Sequence, residues 1–154
     1  MKVSVARGVR TGWQPTARQL ARWASAALGR AAGGRELSVL VASRARSRAL
    51  NARFRGRDHA TNVLSFPVAT GTSSPSPLLG ELVICPPVLR QEARAQRKPL
   101  RAHWAHMVVH GVLHLAGLDH QRPADARRME RREIRVLRRL GFRNPYRITE
   151  DTHG

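Results

Sequence analysis

The stretch HMVVHGVLHLAGLDH, residues 106–120, constrains this chain more than any other. It holds four of the seven histidines, and almost everything between them is apolar. A helix this apolar belongs at the centre of a fold, yet it carries imidazoles that need partners. Residues four apart share a helical face, so His103, His106, His110 and His114 make one stripe. They cannot all bind one ion. His106 and His114 lie two turns apart, roughly 12 Å along the axis, and a zinc-bound nitrogen sits about 2.0–2.1 Å from its metal.

The residues that follow choose between the adjacent pairs. Gly117 can take the left-handed conformation that ends a helix, and the chain can then fold back to bring His120 near the last turn. That makes His110 and His114 the reachable pair, in the pattern H-x-x-x-H-x-x-G-x-x-H. Its spacing is that of the extended zinc-peptidase motif H-E-x-x-H-x-x-G-x-x-H. The expectation is one zinc ion per chain, held by His110, His114 and His120, with His103 and His106 left out. Three neutral imidazoles leave the ion its full charge and an open fourth position, where a water is acidified toward neutrality. A structural zinc site would want four protein ligands, often thiolates, and the chain has a single cysteine. The peptidase glutamate, the general base for peptide attack, is replaced by Gly111. The metal chemistry is therefore expected to serve a different substrate.

Charge points to that substrate. Lys+Arg number 28 against 10 Asp+Glu, a formal net charge of +18. Such a field attracts phosphate polymers, although an arginine-favouring codon bias would supply part of the excess. No basic amphipathic segment stands apart from the core, so no membrane role is expected. The lone Cys85 suits a reducing compartment and is expected to be packed rather than reactive. The opening MKVSVARGVR is too short and broken for a secretory signal, and no apolar run is long enough to cross a bilayer. These features set the expectation of a cytoplasmic protein with residues 1–154 in a single domain.

Along the chain, strands are expected over 2–8, 36–43, 60–69 and 80–85, with Pro67 marking an edge or a strand end. Helices are expected over 15–34, 43–56, about 87–97, 99–117 and 123–140, Pro99 and Pro123 lying where helices begin. Residues 70–77 read as a loop. Strands early and helices late predict an α+β fold, a small sheet with helices packed on it.

Several stretches together resemble one family, the bacterial rRNA-maturation endoribonucleases known as YbeY. The metal motif reads here as HGVLHLAGLDH (110–120); LNARFRG (50–56) and TNVLSFP (61–67) look like the family's upstream blocks, LGELVIC (79–85) like its next strand and RRLGFRNPY (138–146) like its closing segment. The resemblance spans roughly 36 to 146. It implies a zinc-dependent, single-strand-specific endoribonuclease acting in 16S rRNA 3′-end maturation and ribosome quality control. The implied partners are single-stranded RNA, an rRNA precursor and the small ribosomal subunit. It implies a four-stranded sheet with about five helices, zinc on His110, His114 and His120, and a functional arginine at Arg55. Departures are Ala60, where many members have proline, Glu81, where aspartate is common, and the arginines of 122–139, where members often carry acids; none touches a metal ligand.

From the residues alone, Arg55 would be one more solvated arginine; the resemblance makes it a phosphate-binding group. Asp119 could hold a neighbouring imidazole or assist proton transfer, and could equally cap the turn after Gly117. Glu133, beside the apolar stripe of the last helix, is expected to pair with an arginine; contact with the groups around the metal is the lesser alternative. Two other functions compete: a zinc metallopeptidase, which Gly111 argues against, and a non-catalytic ribosome-associated factor whose zinc only stabilises the fold.

Overall fold

The computed structural model describes residues 1–68, 77–118 and 122–147. The elements run β1 (Lys2–Arg7), α1 (Ala17–Leu28), a 3-10 turn (Gly29–Ala32), β2 (Glu36–Val41), α2 (Arg44–Arg55), β3 (Val63–Pro67), β4 (Leu78–Ile84), α3 (Pro86–Ala95), α4 (Leu100–Leu115) and α5 (Pro123–Arg139). The expected α+β architecture of four strands and five helices is the one observed. The run 15–34 divides, however: its helix stops at Gly29 and the remainder tightens into the 3-10 turn. Of the expected loop 70–77, only Pro77 falls among the described residues.

The sheet order is β1-β2-β4-β3. The first three strands are parallel, and β3 runs antiparallel along β4 as an edge strand. Pro67, which has no N–H for a ladder, ends that edge strand. Strand side chains alternate between faces, and this alternation sorts the core into two parts. Leu37, Val39, Leu82 and Ile84 face the main core with Trp23 of α1 and Trp104 of α4. Leu40, Leu64 and Val83 face the other way, toward Leu50 of α2. α2 thus covers one face of the sheet, while α1, α4 and α5 share the core on the other.

α4 is buried on nearly all sides, as its composition requires. Each fully buried Val, Leu or Met contributes roughly 1.5–3 kcal/mol, so this helix is held by packing. Arg101 at its start is exposed, and in its C-terminal half only His110 and His114 are partly exposed. Cys85 is fully buried at the start of α3, and burial raises its thiol pKa; it is packed, as expected. Among the described residues no helix is long and apolar enough to cross a membrane.

Candidate active site

The C-terminal end of α2 and the C-terminal half of α4 lie on opposite faces of the sheet, and the edge strand β3 is where they meet. A cleft of about 390 Å³ opens there, lined by residues including Arg55, Arg57, His59, Ser65, His110 and His114.

Buried polar groups fix the segment between α2 and β3. Ser47 Oγ donates to Thr61 O at 3.1 Å and accepts from Thr61 N at 2.9 Å. Asn51 Nδ2 donates to His59 O at 2.8 Å. Both side chains are buried, and losing such a bond leaves an unsatisfied group costing about 1–3 kcal/mol. Arg48 adds a two-pronged contact to Asp58 at 2.7 and 3.0 Å. Arg55 closes α2 before Gly56, which adopts the left-handed conformation. Its guanidinium donates to Ser65 O at 2.7 Å and lies 5.3 Å from the Phe66 ring centre. One of five N–H donors is spent on that bond, so the anchored side chain keeps donors for an anion in the cleft.

On α4, His110 and His114 stand one turn apart with ring centres 5.0 Å from each other. Gly111 between them packs against the sheet. Ser65 Oγ donates to its carbonyl at 3.2 Å. A Cβ there would meet Leu82 Cδ2 at 2.7 Å, with Ser65 Oγ and Val63 Cγ2 at 3.3 Å. The helix ends as anticipated. Gly117 has φ of 94°, its N–H bonds to His114 O, and Leu118 N–H reaches back to Leu113 O. Those two bonds are the paired closure of a glycine-terminated helix. His120 and Asp119, predicted as third ligand and as catalytic helper, lie outside the described residues. Among the described residues no group of three or more potential ligands gathers.

Glu133 overturns an expectation. It is 0% exposed and pairs with no arginine. Its Oε1 accepts from His110 Nδ1 at 2.5 Å, and its Oε2 accepts from the Tyr146 hydroxyl. His106 Nε2 sits 3.3 Å from that hydroxyl and 3.7 Å from Oε2. The arginines of α5 failed to claim this carboxylate because they project from the solvent side, while position 133 points inward at α4. Burial alone would push the Glu133 carboxyl up; the His106 and His110 imidazoles and the Tyr146 hydroxyl outweigh it and hold the pKa down to about 2. Burial, then Glu133, raise that of Tyr146, so it stays a donor. Burial also lowers the pKa of His106, keeping it neutral at pH 7.

The arrangement fits a metal. With Nδ1 committed to a carboxylate, His110 would ligate through Nε2, the arrangement that recurs behind metal-binding imidazoles. His114 would be the second ligand. Sequence reasoning passed over Tyr146, His59 and the loop-pinning Asn51. The signal for Tyr146 was slight: it is the only tyrosine in the chain.

Comparison with known proteins agrees along most of the chain. The family model described as Endoribonuclease YbeY matches residues 9–141. A relative from Methylococcus capsulatus named Endoribonuclease YbeY is 53% identical over 125 residues, covering 81% of this chain and 82% of its own. One of the same name from Alkalilimnicola ehrlichii is 52% identical over 147 residues, covering 92% and 87%. A Thermotoga maritima protein with a solution structure superposes with a TM-score of 0.61 at 23% identity, covering 90% of this chain and 88% of that one. That last likeness speaks for the fold alone.

Proposed function

The chain belongs to the YbeY family of endoribonucleases, and on that premise we propose that it is a zinc-dependent endoribonuclease that cuts single-stranded RNA at the cleft between α2, β3 and α4. The observation that carries the reading is the convergence of Arg55 with His110 and His114 on one cleft, in a chain of net charge +18. His120 is proposed as the third ligand and Asp119 as a helper beside it. The wider setting we propose is cytoplasmic: 16S rRNA 3′-end maturation and ribosome quality control on an rRNA precursor of the small ribosomal subunit.

Zinc held here would supply Lewis acidity toward a phosphoryl oxygen and an activated water. The chain's own groups do the rest. Arg55, braced by Ser65 O and the Phe66 ring, offers its remaining N–H donors to the phosphate oxygens and stabilises the charge that develops on them. Arg57 and His59 line the same cleft and can hold the flanking backbone. The fixed loop 57–62 orients these groups before substrate arrives, which lowers the cost of ordering them on binding. Few aromatics line the cleft, so the strand is held by its phosphates and base identity matters little.

The test couples metal analysis to cleavage of a single-stranded oligoribonucleotide. One zinc per chain, cleavage lost on chelation and restored by zinc, and weak action on duplex RNA are expected. Binding should weaken with salt by about 0.7 log units per log unit for each neutralised phosphate. Undiminished cleavage by the metal-free protein would sink the proposal.

A further inference from the structure

We propose that Glu133 and Tyr146 are positioning residues that set the zinc affinity of the site by fixing the ring of His110, and that the segment after α5 is thereby part of the metal site. The inference rests on His110 being a ligand, as proposed above. It goes beyond the ligand set to two residues on other elements.

Three observations carry it. First, Glu133 is a carboxylate with no exposure and, among the described residues, no ion pair to Arg or Lys; His110 Nδ1 lies 2.5 Å from Oε1, the Tyr146 hydroxyl donates to Oε2, and His106 Nε2 stands farther off, 3.7 Å from Oε2. A carboxylate this buried is costly unless it is paired and hydrogen-bonded, and its short imidazole contact is to His110. Second, the two oxygens are divided. Oε1 takes the imidazole and Oε2 takes the phenol, so the hydroxyl fixes which oxygen faces His110. Third, Tyr146 is itself held in place. Phe142 stacks edge-on against Trp23 at 6.1 Å, and Asn144 Oδ1 accepts from Tyr146 N at 2.9 Å. The chain leaves α5, turns, and returns to Glu133 thirteen residues later. Tyr146 remains 41% exposed, so the cap on a buried carboxylate sits at the surface.

An ionised carboxylate on Nδ1 requires the Nδ1–H tautomer. That tautomer turns Nε2 into the ligating nitrogen and raises its basicity. Without the carboxylate the ring can rotate or take the other tautomer, and the metal must then supply the ordering. Loss of such a partner typically costs 10–100-fold in metal affinity.

The experiment measures zinc affinity of the full chain by chelator competition, with melting of the metal-free proteins alongside. Glu133→Gln keeps the shape and removes the charge; its zinc affinity should fall about 10–100-fold. Tyr146→Phe should fall less, by several-fold. In a His110→Ala background Glu133→Gln should add nothing further, because the two act on one ligand. Long-range nitrogen–proton NMR of the unaltered, metal-free protein should show His110 protonated on Nδ1, a readout that needs no variant to fold. Wild-type zinc affinity in Glu133→Gln, or an Nε2-protonated His110, would overturn the inference while leaving zinc binding intact. If His114→Ala and the wild type both take up no zinc, the reading of the site as a metal centre fails, and this inference with it.

Discussion

The two halves of α4 carry two histidines each on one stripe, and both halves present a His–Glu pair. In the N-terminal half His103 Nε2 donates to Glu92 Oε1 at 2.9 Å, and Asn62 Nδ2 steadies that carboxylate at 3.1 and 3.2 Å. In the C-terminal half His110 Nδ1 meets Glu133. The pairing itself therefore does not mark a site. The difference lies at the other edge of each ring. His103 and His106 are buried, and the Nδ1 of each has no hydrogen-bond partner among the described residues. His110 and His114 line an open cleft beside Arg55. One half uses imidazole as packing with a polar handle; the other half presents it to the open cleft.

The comparison breaks most visibly under matched substitutions. His114→Ala should lose zinc and drop cleavage to the level of chelated protein, while His106→Ala should retain zinc and lose only stability. If His106→Ala were the one to shed metal, the division of the helix would be wrong. Arg55→Ala tests what the open half needs besides metal. Zinc content should stay the same and cleavage should fall on the order of 10²–10³-fold, as for loss of a charge-stabilising donor; unchanged cleavage would return Arg55 to the solvated majority. The smallest effect concerns the buried half. Burial raises the Glu92 carboxyl, but hydrogen bonds from His103 and Asn62 prevail and leave its pKa below the usual 4.5. Its contribution is thus fully present above that value and fades as pH falls toward the folded one. Glu92→Gln should flatten the acid side of the stability curve, read by denaturant titration between pH 6 and 3, with zinc content unchanged at neutral pH.

Much of this was legible in the sequence because local rules and global fold agree. Ser43 caps α2 by accepting from Arg46 N, Pro123 opens α5, and Gly117 turns the chain after α4. The β-rich run ELSVLV pointed to a strand, but such a run does not give its neighbours. That β4 lies between β2 and β3 was invisible, and so was the consequence that α2 and α4 reach one edge strand from opposite faces. Arg55 was singled out through family likeness, with no geometric reason in view. Glu133 was misread because its helix is crowded with arginine. Proximity in sequence suggested a partner, whereas the inward face chose His110 from another helix. Of the expected ligands, His110 and His114 stand together as their spacing required, while His120 and Asp119 lie beyond the described residues.

Gly111 has a consequence for how such a chain can diverge. A single replacement, Gly111→Glu, would write the peptidase signature into the sequence, and by motif alone the two activities look like neighbours. The packing separates them. Any side chain at 111 meets Leu82, a core residue with no exposure, and crowds the β3 groups that brace the cleft. The variant would have to displace the Leu82 methyl within a close-packed core and press on Ser65 and Val63 of β3, so it is expected to cost stability before the new carboxylate could do anything. The step is short in sequence but obstructed by structure in this chain, and a smaller residue at 82 would open room for it.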